Sequence, residues 1–159
     1  MIGRTLVLVK PDGVQRGLVG NIISRFESRG LKISGMKMVW VDKDFSKQHY
    51  SEHVEKGFYR MLEEFITSAP VVAMAVEGIN AVELVRKIVG STEPKSAPIG
   101  TIRGDYAHVS YEYADTKGIS IKDLVHASGN KEDAEKEVKL WFGVDELFNY
   151  ELAHQKHVM

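Results

Sequence analysis

The sequence contains no cysteine. Disulfides, a thiolate metal site and a thiol nucleophile are therefore excluded, which removes several enzyme classes while saying little about compartment. Charge of either sign in excess is also missing, since 21 Lys and Arg face 22 Asp and Glu for a formal net charge of -1. Without a global positive field, sequence-independent attachment to nucleic acid or an anionic membrane is disfavoured, and any anion site has to be local. No stretch approaches the roughly 18 apolar residues that a membrane span requires. Met1-Ile2-Gly3-Arg4 leads straight into a strand-like run, and together these features read as a cytoplasmic protein without a membrane partner.

What is present is a globular balance, 43% apolar and 27% charged residues over 159 positions. That length suits a single domain over residues 1–159, with enough apolar surface for a core that needs no covalent staples.

Thr5-Leu6-Val7-Leu8-Val9 is short, apolar and β-branched, and Lys10-Pro11-Asp12-Gly13 ends it, so a buried strand followed by a loop is expected. Leu18, Ile22, Ile23 and Phe26 recur at helical spacing before Gly30, predicting a helix over 18–29. From Ile33 to Val41 the alternation of Met36, Met38 and Trp40 with Lys37 and Val39 predicts a half-buried strand. Residues 46–67 read as two helical pieces, with Ser46 as a candidate N-cap and Gly57 as the break. Val71–Val76 is an apolar run that predicts a strand, and Val82, Val85 and Val89 predict the helix after it. Residues 90–104, rich in Ser, Thr, Pro and Gly, predict a structured loop. The pattern over 105–118 is ambiguous. Ile119, Ile121, Leu124 and Val125 suggest a final strand, and Ala134, Val138 and Trp141 a helix capped by Asn130. Two strand-helix-strand halves, with no other repeat, predict an α+β sandwich of the split βαβ kind, its helices on one face of a four-stranded, mainly antiparallel sheet.

Of the six histidines, His49, His53, His108, His126, His154 and His157, none shows the two-His-plus-acid spacing of a dedicated metal cage. His126 stands apart because it ends the apolar Leu124-Val125 and opens the small, turn-forming Ala127-Ser128-Gly129 ahead of a helix. An imidazole on a strand end is rigid yet accessible, although local pattern alone equally allows a satisfied structural side chain. Candidate anion-binding groups lie on the loops and helices: Lys10, Arg86, Thr92, and Arg103 within Gly100-Thr101-Ile102-Arg103-Gly104. Glycine lets a backbone approach phosphate closely. Taken singly, each of these residues also fits a surface cation, a turn residue or half of an ordinary ion pair.

A chain-wide pattern bears on these alternatives. Lys10-Pro11-Asp12-Gly13, Arg16-Gly17-Leu18-Val19-Gly20, His49-Tyr50, Pro70-Val71-Val72, Gly100-Thr101-Ile102-Arg103-Gly104-Asp105, His126-Ala127-Ser128 and Leu140-Trp141-Phe142 closely resemble the nucleoside diphosphate kinases, in order and over nearly the whole chain. The resemblance implies a ferredoxin-like α/β sandwich and a ping-pong reaction. In it His126 accepts the terminal phosphate of a nucleoside triphosphate and passes it to a nucleoside diphosphate. A neutral imidazole attacks without prior loss of a proton, and with an ordinary pKa of about 6.5 imidazole is mostly neutral at pH 7.

By the same resemblance Glu137 orients the ring and Ser128 supports it, while Lys10, Tyr50, Arg86, Thr92 and Arg103 contact phosphates and sugar. Phe58 and Leu62 would form an apolar wall on which any base stacks, giving broad base tolerance, although on sequence pattern they fit the core face of a helix. Magnesium would arrive with the nucleotide phosphates, and a homo-oligomer, often a hexamer, is implied. Asp123 departs from the pattern, standing where the family usually has a ribose-contacting asparagine; as a substrate-binding residue its carboxylate can still accept from ribose hydroxyls, but it cannot donate and its charge would repel phosphate. Ala127 and Gly129 replace the usual glycine and aspartate, Ile99 a frequent proline, and the segment within 105–120 is longer than usual. Its Tyr106, Tyr111 and Tyr113 suit either a subunit contact or a cover over the site entrance. A non-turning nucleotide-binding module and a single-strand nucleic-acid binder are the competing readings; intact His126, Lys10 and Arg103 count against the first, near-neutral charge against the second.

Overall fold

The computed structural model describes residues 2–158. Its centre is a four-stranded sheet of β1 (Ile2–Val9), β2 (Lys32–Val39), β3 (Val71–Ile79) and β4 (Val125–Ala127), in the order β2-β3-β1-β4. Every neighbouring pair is antiparallel, with Ile2 opposite Ile79, Val9 opposite Val72, and Leu8 opposite His126. β1 and β3 are the inner strands. Their runs LVLV and VVAMAV show no polar alternation because both faces of the sheet are covered.

On the first face Val7, Val9, Val72, Met74 and Val76 pack against Ile22 and Phe26 of α2 (Val19–Glu27) and Val85 and Val89 of α5 (Ala81–Val89). On the second, Leu6, Leu8, Ala73 and Ala75 meet Tyr50, Tyr59, Ile66, Val138, Trp141 and Phe142. These come from the ends of α3 (Lys43–His49), α4 (Tyr59–Ile66) and α8 (Lys131–Trp141). The expectation of helices on one face is thus corrected to helices on both. The reason is legible afterwards: a strand buried on one side alone would alternate.

Several local expectations also change. Lys10-Pro11-Asp12-Gly13 begins α1 (Pro11–Gln15) directly, where a loop was expected; Pro11 sits at a position whose N–H would have no helical partner in any case. Asp42, and not Ser46, caps α3 by accepting from Phe45 N, while Ser46 is buried against the Tyr59 hydroxyl. The stretch 90–104 is not all loop. It contains a 3-10 turn at Pro94–Ser96 and the start of α6 (Ile102–Tyr106), whose cap Thr101 accepts from Gly104 N. Ser110 caps α7 (Tyr111–Lys117) inside the ambiguous segment. Tyr106 packs on the first core, whereas Tyr111 and Tyr113 are exposed.

The final strand is only Val125–Ala127; residues 119–124 leave the sheet because Leu124 has a φ of 69°. Met36 and Met38 of β2, and Trp40 just past its end, are exposed, so the apolar face of that alternation looks outward. The helix over 18–29, the break between α3 and α4, and the Asn130 cap of α8 all agree with expectation. The remaining helix, α9 (Gln155–Val158), ends the described chain.

Gly104 is required by close approach, because a Cβ there would run into the Pro98 carbonyl. That contact joins the 90–100 loop to the helix bearing Arg103. Gly104→Ala should lower the unfolding free energy by about 1–3 kcal/mol, an overpacking cost. Urea denaturation measures it, and an unchanged midpoint would show that the loop yields freely.

Candidate active site

β4 is short and lies at the edge of the sheet, but its pairing with the inner strand β1 fixes His126 against Leu8. α8 crosses the same face and brings Glu137 to the imidazole: Glu137 Oε1 and Oε2 lie 3.1 and 3.0 Å from His126 Nε2. A carboxylate only accepts, so this network assigns the ring hydrogen to Nε2 and leaves Nδ1 with an available lone pair. Ser128 Oγ donates to Glu137 Oε2 at 2.6 Å and accepts from Leu6 N at 3.3 Å, tying the carboxylate to the central strand. Burial pushes the Glu137 carboxyl up, but the hydrogen bonds from His126 and Ser128 outweigh it and hold the group below its ordinary range.

A second histidine lies against the first. His49, at the end of α3, meets His126 edge-on with ring centroids 4.8 Å apart and planes at 83°. Trp141 Nε1 donates to His49 Nδ1 at 3.1 Å, so the hydrogen of neutral His49 is on Nε2, which has no partner among the described residues. Burial, with the neighbouring His126 adding to it, lowers the His49 pKa to about 3. The ring is uncharged at neutral pH. Ligand atoms of His49, His126 and Glu137 lie within 4.8 Å of one another, a grouping that linear spacing does not reveal. It suits a cation poorly, because a protonated Nε2 offers no lone pair while Trp141 occupies Nδ1.

On the other side of His126 is a cleft of about 150 Å³ lined by Lys10, Arg86, Thr92, Arg103 and Asp123. Lys10 follows β1 as the residue before α1, Arg86 lies in the last turn of α5, and Thr92 follows that helix. Arg103 is buried and held along its whole fork. Nε donates to Asp123 O at 3.0 Å, Nη1 to Gly90 O at 3.1 Å, and Nη2 to Asp123 Oδ2 at 3.0 Å and Val125 O at 2.6 Å. Burial lowers its pKa, with Asp123 acting against that. Asp123, only 2% exposed, also takes Lys10 Nζ on Oδ1 at 2.6 Å. Its carboxylate therefore sits between two of the three cleft cations, and three cations less one carboxylate leave a formal charge of +2.

The fold thus brings Lys10, Arg86, Thr92, Arg103, Asp123 and His126 into one cleft, with Glu137 and Ser128 behind the imidazole. Tyr50 lies in an adjoining cleft of about 310 Å³ that His126 also lines, its buried hydroxyl unpartnered among the described residues. Phe58 and Leu62 line neither cleft; Phe58 is 46% exposed at the start of α4, and Leu62 packs on the second core. A larger cleft of about 730 Å³ opens near Arg4, Asn80 and Lys139 but has no histidine in its lining, so size does not locate the chemistry. His49 and Asp12, whose carboxylate accepts from Leu124 N at 3.0 Å, are the site groups given no role by the sequence. Their only sequence signal is membership of the quoted motifs.

The family model for nucleoside diphosphate kinase matches residues 3–147. The chain is 56% identical to a nucleoside diphosphate kinase of Pyrococcus abyssi over 150 residues, 94% of this chain and 90% of that protein. It is 49% identical to one of Archaeoglobus fulgidus, covering 96% of this chain and 94% of that one. Among solved structures, a transition state mimic of the Borrelia burgdorferi nucleoside-diphosphate kinase with bound vanadate and ADP superposes with a TM-score of 0.95 at 43% identity, covering 98% and 96% of the two chains. A halophilic nucleoside diphosphate kinase from Halobacterium salinarum in complex with CDP gives 0.88 at 39% identity, covering 100% and 99%.

Burial of the His49 ring makes the stability of the fold depend on pH. A group neutral in the fold but basic when unfolded contributes stability that is full above pH 6.5 and is lost as pH falls from there toward 3. Between pH 7 and 4.5 the wild type should lose stability more steeply than His49→Gln, by the slope of one proton. Equal slopes in urea titrations would mean that His49 is charged in the fold.

Proposed function

The chain belongs to the nucleoside diphosphate kinase family, and from that premise we propose that its phosphotransfer runs through Nδ1 of His126. The protein is a phosphotransferase that moves the terminal phosphate of a nucleoside triphosphate to a nucleoside diphosphate. In the first half-reaction Nδ1 forms a bond to the γ-phosphorus as the bridging oxygen leaves with the diphosphate; in the second, a terminal oxygen of another diphosphate takes the phosphoryl group from Nδ1. The ring hydrogen on Nε2 stays with Glu137, whose negative charge offsets the positive charge that develops on the phosphorylated ring. One observation carries this reading: the Glu137 carboxylate occupies Nε2 of a histidine that borders a cleft of three cations.

Lys10, Arg86 and Arg103 offset the charge of the transferring phosphoryl group, with Thr92 adding a hydroxyl and Tyr50 a phenol from the adjoining cleft. The exposed ring of Phe58, beside Leu62, offers any base a stacking face. Magnesium comes with the nucleotide. The cleft's carboxylate, Asp123, has both oxygens taken by Lys10 and Arg103, so the phosphates would be the ion's main ligands.

Asp123 acts here as an internal counterion in place of a ribose contact. The chain is read as one catalytic domain, a reading supported by the span of the family match. A homo-oligomer, with a hexamer favoured, is supported by the exposed Met36, Met38 and Trp40 at the sheet edge and by exposed Ile99. No described helix is long and apolar enough to cross a membrane, and a cytoplasmic location is proposed.

Incubation with a γ-labelled nucleoside triphosphate and magnesium should give an acid-labile, alkali-stable phosphoprotein, and His126→Ala should give none. An unlabelled wild type would point to a binding module without turnover; a labelled variant would move the site. Removing the counterion charge in Asp123→Asn should tighten nucleoside diphosphate binding about 3- to 10-fold at low salt, less at high salt. Calorimetric titration reads this, and unchanged or weaker binding would mean that the pairing with Lys10 and Arg103 helps the nucleotide.

A further inference from the structure

The nucleophile's strand begins in an unusual backbone. Val125 N donates to Asp123 O at 2.8 Å across the single residue Leu124, whose φ is 69°. This is a γ-turn of the rare positive-φ form, and it places a branched side chain where glycine is normally required. The Leu124 side chain is fully buried in the first core, which fixes its direction but does not by itself fix its backbone. Strained backbone persists only where surrounding groups hold it.

Those groups come from two sides. From α1, Asp12 Oδ2 accepts Leu124 N–H at 3.0 Å, and the Lys10 N–H next to it donates to Leu124 O at 2.8 Å. From α6, Arg103 holds both flanking carbonyls, Asp123 O and Val125 O. α1 approaches the turn so closely that a Cβ on Gly13 would lie 3.1 Å from Leu124 O. Asp12 is itself buried, and its other oxygen has no partner among the described residues. Keeping a carboxylate in such a place is costly unless its one good acceptor role matters. Burial pushes its pKa up, with Lys10 opposing. His126 is two residues past Leu124.

We propose that Asp12 is a positioning residue for phosphoryl transfer, holding the Leu124 γ-turn and thereby the place of the His126 imidazole against the cationic cleft. The proposal rests on His126 being the nucleophile. Asp12 lines neither cleft beside His126, and its one side-chain hydrogen bond is from the Leu124 N–H, through which it acts. Loss of that acceptor lets the turn relax, and a displacement of about 1 Å at a reacting atom lowers a rate by roughly 10². Nucleotide affinity, set by the cations and the stacking face, should change little.

The test compares Asp12→Asn, whose amide oxygen still accepts from Leu124 N–H, with Asp12→Leu, of similar size but without an acceptor. Rapid-quench phosphorylation by a magnesium nucleoside triphosphate gives the rate per folded molecule, and titration gives the nucleoside diphosphate dissociation constant. Asp12→Leu should phosphorylate about 30- to 100-fold more slowly with a dissociation constant within about threefold of wild type, and Asp12→Asn should recover to within about fivefold. A purely structural Asp12 would lower the melting temperature of the variant and leave the rate per folded molecule unchanged, and that result overturns the proposal. Equal slowing in Asn and Leu variants overturns it too, because the acceptor would then not be what matters. Should Asp12→Leu not fold, hydrogen exchange at the Leu124 amide decides: protection in wild type and Asp12→Asn upholds the hydrogen bond, and exchange at the rate of an open amide overturns it. If His126→Ala is still labelled, the nucleophile assignment has failed; if it is unlabelled while Asp12→Leu is as fast as wild type, only the positioning role has.

Discussion

A carboxylate against one edge of an imidazole decides what the opposite edge can do. With Glu137 at 3.0 Å from Nε2 of His126, the ring hydrogen has one place to be, and the lone pair of Nδ1 is free for an electrophile. The rest of the site keeps this pair in register. Ser128 holds the carboxylate from the strand side, and the Leu6 N–H holds Ser128. His49, kept neutral by burial and oriented by Trp141, packs on the imidazole without adding a charge beside it. An uncharged neighbour matters because a second cation there would oppose the charge that the proposed transfer develops on His126.

The second constraint is charge balance in the cleft. Lys10 and Arg103 are buried, and a buried cation without a counterion is expensive. Asp123 supplies one, bridging both. Arg103 is consequently two things at once: half of an ion pair facing the cleft, and a clamp on the carbonyls of the turn that leads to His126. In the proposed reaction binding and positioning share this side chain, so truncating Arg103 would affect both and cannot separate them. Asp12 reaches the turn from the opposite side without touching the cleft, which makes it the cleaner probe of geometry.

Much of the fold was legible because the inner strands and the long helices carry strong local signals. The apolar runs of β1 and β3, the helical spacing of Ile22 and Phe26, and the Asn130 cap each placed an element. What failed was short or governed by distant contacts. α1, α6 and α7 have five to seven residues each, too few for periodicity to show, and their Pro11, Thr101 and Ser110 starts read equally well as turns. The spacing of Ile119, Ile121 and Leu124 mimics a strand; Leu124 instead turns back because Asp12 and Lys10, over a hundred positions away, hold its backbone. In the site, His126 and the cations were identified through a chain-wide resemblance. The His49 contact and the Asp123 bridge needed the fold, since no spacing rule links residues 49 and 126 or 10 and 123.

Treatment of the intact protein with a magnesium nucleoside triphosphate, followed by 31P NMR under native conditions, distinguishes the two phosphohistidine isomers. A resonance for phosphate on Nδ1 is expected, because Glu137 holds Nε2 in its protonated state. A resonance for phosphate on Nε2 would contradict that assignment and, with it, the role given to Glu137.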